Sequence, residues 1–144
     1  MRFLLSMFLF LNIAPLQWGN NYNQAIQTAK NEHKFILLNF SGSDWCGPCI
    51  KLHKEVFTTD EFNQLANDKL VLLNADFPRY KKNLLAPDQQ KLNDALADKY
   101  NNKGIFPLTV LLNAEGKIIK SWEGFPSSTP DFIEDIAQSI QDNQ

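Results

Sequence analysis

The sequence predicts an α/β domain with a mixed central β-sheet and helices on both faces. Three observations carry that expectation. Short continuous apolar runs, Phe35–Phe40 and Leu70–Ala75, suit strands covered on both sides. Stretches with apolar residues at helical spacing lie before, between and after them. Near the end, two apolar runs flank Asn113-Ala114-Glu115-Gly116, which reads as a β-hairpin.

Taken in order, Asn21–Glu32 places Tyr22, Ala25, Ile26 and Ala29 on one stripe and is read as a helix. The strand Phe35–Phe40 follows and ends at Ser41-Gly42-Ser43. Ile50, Leu52, Val56 and Phe57 mark a helix from Pro48 to Phe57. Thr58 and Glu61 have capping-box spacing and open a further short helix. After the strand Leu70–Ala75 comes a polar insertion, Phe77–Asp88. The next helix carries Leu92, Ala95, Leu96 and Tyr100 and stops at Asn101-Asn102-Lys103-Gly104. Leu108–Leu112 and Lys117–Trp122 form the hairpin. Thr129-Pro130 caps and starts a last helix, with Phe132, Ile133, Ile136 and Ile140 facing inward. Strands joined through a helix are expected to run parallel, and the hairpin adds antiparallel ones.

The chain has 144 residues, 44% hydrophobic and 21% charged, which fits one ordinary domain. Fourteen basic and sixteen acidic residues give a formal charge of -2. That balance argues against a nucleic-acid partner, which needs a basic surplus to displace counterions. Residues 1–16 are expected to be a signal peptide and 17–144 the domain. Arg2 precedes a run, Phe3–Leu11, that is apolar except for Ser6, and Asn12 to Pro15 break it. The run falls short of the about 20 residues a membrane-spanning helix needs, so no stable membrane insertion is expected after its removal. Asn12-Ile13-Ala14 lacks the small residue two positions before Ala14, so a retained N-terminal anchor is the alternative reading.

The two cysteines, Cys46 and Cys49, are three positions apart in Trp45-Cys46-Gly47-Pro48-Cys49. A disulfide-stapled scaffold needs bridges between distant segments, so this pair is local chemistry. Set where a buried strand gives way to a helix, the first sulfur lies beside unpaired N–H groups and the positive end of the helix dipole, which favour thiolate. Pro48 is tolerated because first-turn amides have no intrahelical partner to lose. Cys46 is therefore expected to be the exposed nucleophile and Cys49 the sheltered resolving thiol. A structural zinc site would need four ligands, and the chain offers two Cys and two His, with His33 before a different strand. Haem attachment needs His where Ile50 stands. A purely structural disulfide would close too small a loop to constrain the unfolded chain much. Both His53 and His33 are expected to be solvated. No metal or cofactor is expected.

With Phe40–Cys49 leading into an amphipathic helix, the chain resembles the thioredoxin superfamily, whose active-site tetrapeptide is Cys-Gly-Pro-Cys. It resembles more closely the secreted bacterial thioredoxin-like proteins, through Trp18, Gly42-Ser43-Asp44-Trp45-Cys46, Asp76-Phe77-Pro78 and the polar insertion. The resemblance implies a thioredoxin fold with an extra N-terminal helix, a bacterial periplasmic or secreted location and a monomer. It also implies a thiol–disulfide oxidoreductase that exchanges its dithiol with disulfide-containing protein substrates. Pro107 matches the cis-proline loop of the family, in which the preceding residue, here Phe106, pairs its backbone with a substrate segment. Trp45 would form an apolar rim beside the nucleophile, although packing alone would equally account for a large aromatic there.

Two departures from the family stand out. The buried Asp that handles the second cysteine's proton is matched by Asn39, and its Lys partner by Leu72. Asp44 and Glu55 are the carboxylates left as candidates for that proton. Gly47-Pro48 favours the reducing end of a family that spans about -270 mV to about -120 mV. The first expectation is thus a periplasmic reductase recharged by a membrane thiol-transfer donor. An oxidase or isomerase, or a peptide-binding module without turnover, are the alternatives. Arg79, Lys81 and Lys82 in the insertion are read as a solvated loop, with a partner-docking rim as the competing reading.

Overall fold

The computed structural model describes residues 15–144. Of the expected signal peptide, residues 1–14 lie outside the described residues. The sheet has five strands in the order β1-β3-β2-β4-β5: β1 Trp18–Gly19, β2 Phe35–Ser41, β3 Leu70–Asp76, β4 Leu108–Leu112 and β5 Ile118–Glu123. Strand β2 is parallel to β3 and antiparallel to β4, while β1 runs parallel to β3 and β5 antiparallel to β4. The mixed sheet read from the sequence is present, and β1 adds an edge that two residues are too few to announce.

Alternation along the buried strands divides the core into two layers. Leu37, Leu72 and Leu111 face α2 (Gly47–Leu52), α3 (Asp60–Lys69) and α5 (Thr129–Gln141), packing with Leu52, Val56, Phe62, Ile133 and Ile136. Ile36, Leu38, Phe40, Leu73, Ala75 and Val110 face the N-terminal helix α1 (Tyr22–Glu32) and α4 (Pro87–Tyr100), through Ala25, Ala29 and Leu96. Fully burying each of the large side chains among them contributes about 1.5–3 kcal/mol, so both helical layers are tied to the central strands.

Several local expectations are corrected. Thr59, not Thr58, caps α3, accepting from the Phe62 N–H at 3.3 Å, while the Thr58 hydroxyl donates back to the Lys54 carbonyl. Ser128, not Thr129, caps α5, accepting from the Asp131 N–H. At each junction neighbouring hydroxyl residues qualify as caps, and backbone entry selects between them. The helix expected at Pro48–Phe57 continues past Leu52 as a π turn, His53–Phe57, which brings Val56 and Phe57 inward together while Ile50 stays exposed. In α4, Leu92 and Ala95 face solvent. Asn93 is buried instead, because its Nδ2 donates to the Asp76 carbonyl at 2.8 Å.

The α3 cap gives a direct check. Thr59→Ala is expected to cost about 1 kcal/mol in urea unfolding. Thr58→Ala, which removes only an exposed back-bond, is expected to cost less than about 0.5 kcal/mol. The reverse ranking would put the start of α3 one residue earlier.

Candidate active site

Strands β2 and β3 end side by side, with Ser41 in register with Asp76. The Asp76 carboxylate accepts from the Ser41 hydroxyl, the Ser43 N–H and hydroxyl, and the Phe77 N–H, fixing both chains as they leave the sheet. The Gly42 carbonyl accepts from the Cys46 N–H at 2.9 Å and so closes the turn into α2. A Cβ on Gly42 would occupy the space of the Trp45 indole, so this turn requires the smallest residue.

Cys46 is the residue that caps α2, with Gly47 and Pro48 exposed at its first positions and Cys49 one turn in. The two cysteines form a disulfide with their Cα atoms 5.2 Å apart. In this oxidised state both are buried, at 5% and 4% exposure, so the difference in accessibility expected for them is absent. What distinguishes them is a hydrogen bond: the Cys49 N–H donates to Cys46 Sγ at 3.3 Å. A hydrogen bond to the charged form lowers a thiol's pKa, and only Cys46 occupies the place where the helix start can supply one.

Trp45 is half-buried and held on three sides. Its indole N–H donates to the Phe77 carbonyl at 2.7 Å, and its ring meets Phe106 edge-on at 5.5 Å. Phe106 in turn meets Phe77 edge-on at 5.5 Å. The Arg79 guanidinium lies over the Trp45 ring, 3.6 Å from its centroid. The Phe106–Pro107 bond is cis, Pro107 is buried, and its carbonyl accepts from the Gly124 N–H at 2.9 Å.

Asp44 organises the segment after β3. Its Oδ1 accepts from the Arg79 N–H, and its Oδ2 from the Tyr80 N–H and the Asn83 side-chain amide, at 2.9–3.0 Å. Desolvation raises this carboxyl, but those hydrogen bonds outweigh it and hold the group below the ordinary carboxylate range. Part of the insertion expected to be a solvated loop is thereby docked against Trp45. The signal was an acid immediately before Trp45, but nothing local in the sequence reveals partners 35–39 positions away.

Behind Cys49 lies a cavity of about 310 Å³, lined among others by Trp18, Asn39, Ser41, His53, Lys54 and Asn74. Its sheet floor is neutral: Asn39 Nδ2 donates to Asn74 Oδ1 at 3.1 Å, and Thr109 donates to Asn39. Neither carboxylate considered for the Cys49 proton lines this space. Asp44 is committed to the segment after β3, and Glu55 is exposed within 4.0 Å of Lys51. His53 is exposed on its outer side, as expected, yet lines the same cavity as Cys49. His33 is exposed at the end of α1 in a left-handed conformation, φ 54°. Among the described residues no three His, Cys, Asp or Glu side chains converge on a common point.

This arrangement defines a thiol–disulfide oxidoreductase built on a thioredoxin fold. A family model described as a thioredoxin-like domain matches residues 22–138, and the chain belongs to that family. It is similar to the disulfide bond reductase DsbH of Chlamydia pneumoniae, with 33% identity over 128 residues covering 89% of this chain and 75% of that protein. It is 32% identical over 112 residues to the thioredoxin-related protein DsbJ of the same organism, of whose length the match spans 31%. A solved DsbH oxidoreductase superposes with a TM-score of 0.80 at 30% identity, covering 98% of this chain and 95% of that one. The C-terminal domain of Neisseria meningitidis DsbD, in its oxidised form, shares the fold with a TM-score of 0.56 at 21% identity, covering 81% and 90% of the two chains.

The depressed Asp44 carboxyl makes the docking of residues 79–83 pH-dependent. Folding favours its ionised form, so its contribution is present above the unfolded carboxyl's pKa and is lost as pH falls through the lower folded value. Hydrogen-exchange protection of the Arg79 and Tyr80 amides is expected to hold at neutral pH and to fall on acidification below about pH 4. In Asp44→Asn it should be low throughout. Protection that ignores both pH and the substitution would remove Asp44 from this role.

Proposed function

We propose that the protein is a periplasmic reductase of protein disulfides, with Cys46 as nucleophile and Cys49 as resolving thiol. The observation that carries the reading is the capping position of Cys46, where its sulfur accepts the Cys49 N–H. In the reduced protein the Cys46 thiolate attacks one sulfur of a substrate disulfide. The substrate S–S bond breaks, one substrate thiolate leaves, and a mixed disulfide forms at Cys46. Cys49 gives up its proton and attacks Cys46 Sγ, closing the Cys46–Cys49 disulfide and releasing the second substrate thiolate. Two electrons pass to the substrate, and the protons of the two cysteines balance its two new thiols.

The backbone of Phe106, before Pro107, would pair with the extended substrate segment, and Trp45 would flank it. The similarity to a protein named as a disulfide bond reductase supports the direction of electron flow. Export by residues 1–16 fits the arginine and apolar run at that end. Electrons would return through a membrane thiol-transfer partner, and the domain would act as a monomer. Among the described residues no helix is long and apolar enough to cross a membrane.

Insulin disulfide reduction is expected from the wild type and lost in Cys46→Ser. Cys49→Ala should complete only the first step and accumulate mixed disulfides at Cys46, visible on non-reducing gels. A reduction potential near about -270 mV fits a reductase, and one above about -200 mV would reverse the assigned direction. Turnover surviving Cys46→Ser would refute the mechanism.

A further inference from the structure

We propose that the segment 77–83 is a charge-reading rim, on which Arg79 pairs with an acidic side chain flanking the cysteine of the substrate. The inference rests on the exchange reaction above and specifies which substrates it prefers. Arg79 covers Trp45, the residue next to Cys46, with its guanidinium 3.6 Å from the ring centroid. Stacking occupies the face of the guanidinium and leaves its N–H donors in the plane, where a carboxylate accepts two of them.

The position is built rather than adventitious. Asp44 fixes the backbone at Arg79 and Tyr80, and the Phe77 carbonyl holds the Trp45 indole. Asp44, the acid nearest in sequence to the motif, spends both carboxylate oxygens on amides of this segment and none on the guanidinium. Among the described residues no carboxylate lies within 4.0 Å of Arg79, Lys81 or Lys82. A chain of net charge -2 thus presents an exposed Arg79, without a carboxylate partner, over the residue next to Cys46, with exposed Lys81 and Lys82 following in the same segment. Tyr80 and Leu84, 56% and 60% exposed, add apolar surface to the same stretch of chain. Charge complementarity and the adjoining dithiol together point to an extended, acidic, cysteine-bearing peptide as the occupant.

The test uses the reduced protein and three disulfide-linked peptides, identical except for Glu, Gln or Lys on both sides of the cysteine. Wild type is expected to show a kcat/KM for the Glu peptide about three- to fivefold above that for the Gln peptide, as for an exposed ion pair. The Lys peptide should rank last, and the spread should shrink as salt is raised. Arg79→Glu should invert the order, and Arg79→Lys should keep it. Because each ranking is a ratio within one variant, partial loss of folded protein does not alter it. Equal rates for all three peptides in wild type, or the same ranking in Arg79→Glu, would overturn the inference while leaving the exchange reaction standing. Failure of wild type to reduce any of the three would overturn both.

Discussion

Everything at the active site depends on the pairing of β2 with both of its neighbours. Phe40 lies in register with Ala75 on the parallel side and with Leu108 on the antiparallel side. Because β4 runs opposite to β2 and β3, its beginning meets their ends. One end of the sheet therefore gathers the turn into Cys46, the exit of β3 at Asp76 and the Phe106–Pro107 loop. Both faces of β2 are apolar, so close packing rather than polarity fixes this register: a slip of one residue would exchange the side chains that the two core layers are shaped to hold. The position of the sulfurs follows from packing far from them.

Two carboxylates convert that convergence into a rigid site. Asp76 ties the ends of β2 and β3 together through Ser41, Ser43 and Phe77. Asp44 reaches the other way and pulls residues 79–83 over Trp45. Neither acid touches a sulfur. Between them, Trp45 is hydrogen-bonded to the Phe77 carbonyl, covered by Arg79 and met edge-on by Phe106, an aromatic contact worth about 0.5–1.5 kcal/mol beyond area burial. A loop that reads as solvent-facing is thus made one wall of the site by hydrogen bonds to a neighbour of the motif.

Legibility in the sequence tracked the range of the interaction responsible. The buried strands, the helices α1 and α5, and the Cys46–Cys49 motif all rest on local pattern, and the structure places them where that pattern put them. Caps at Thr59 and Ser128 were off by one because adjacent hydroxyls compete and only the backbone path decides. Strand β1 has two residues and no period, and Trp18 is recruited by Phe57 at 5.0 Å and by register with Leu72. The inward turn of Asn93 and the docking of Arg79 depend on partners distant in sequence, which no window of residues displays.

The equal burial of the two cysteines moves the basis of their proposed roles from access to electrostatics. A charge forming at Cys49 would face Asn39 and Asn74, whose amides are hydrogen-bonded to each other and to Thr109 and carry no counter-charge. A charge at Cys46 would receive an N–H at the positive end of the helix. Burial in the disulfide does not separate the two sulfurs, whereas the N–H received by Cys46 does. Lys54 and His53 also line the cavity at Cys49, so what the two sulfurs do not share is the N–H at the helix start. With Asn39 at the floor, the sheet offers no carboxylate to take the Cys49 proton, and the polar groups that share the cavity with this sulfur are Ser41, Ser43, His53, Lys54 and Asn74.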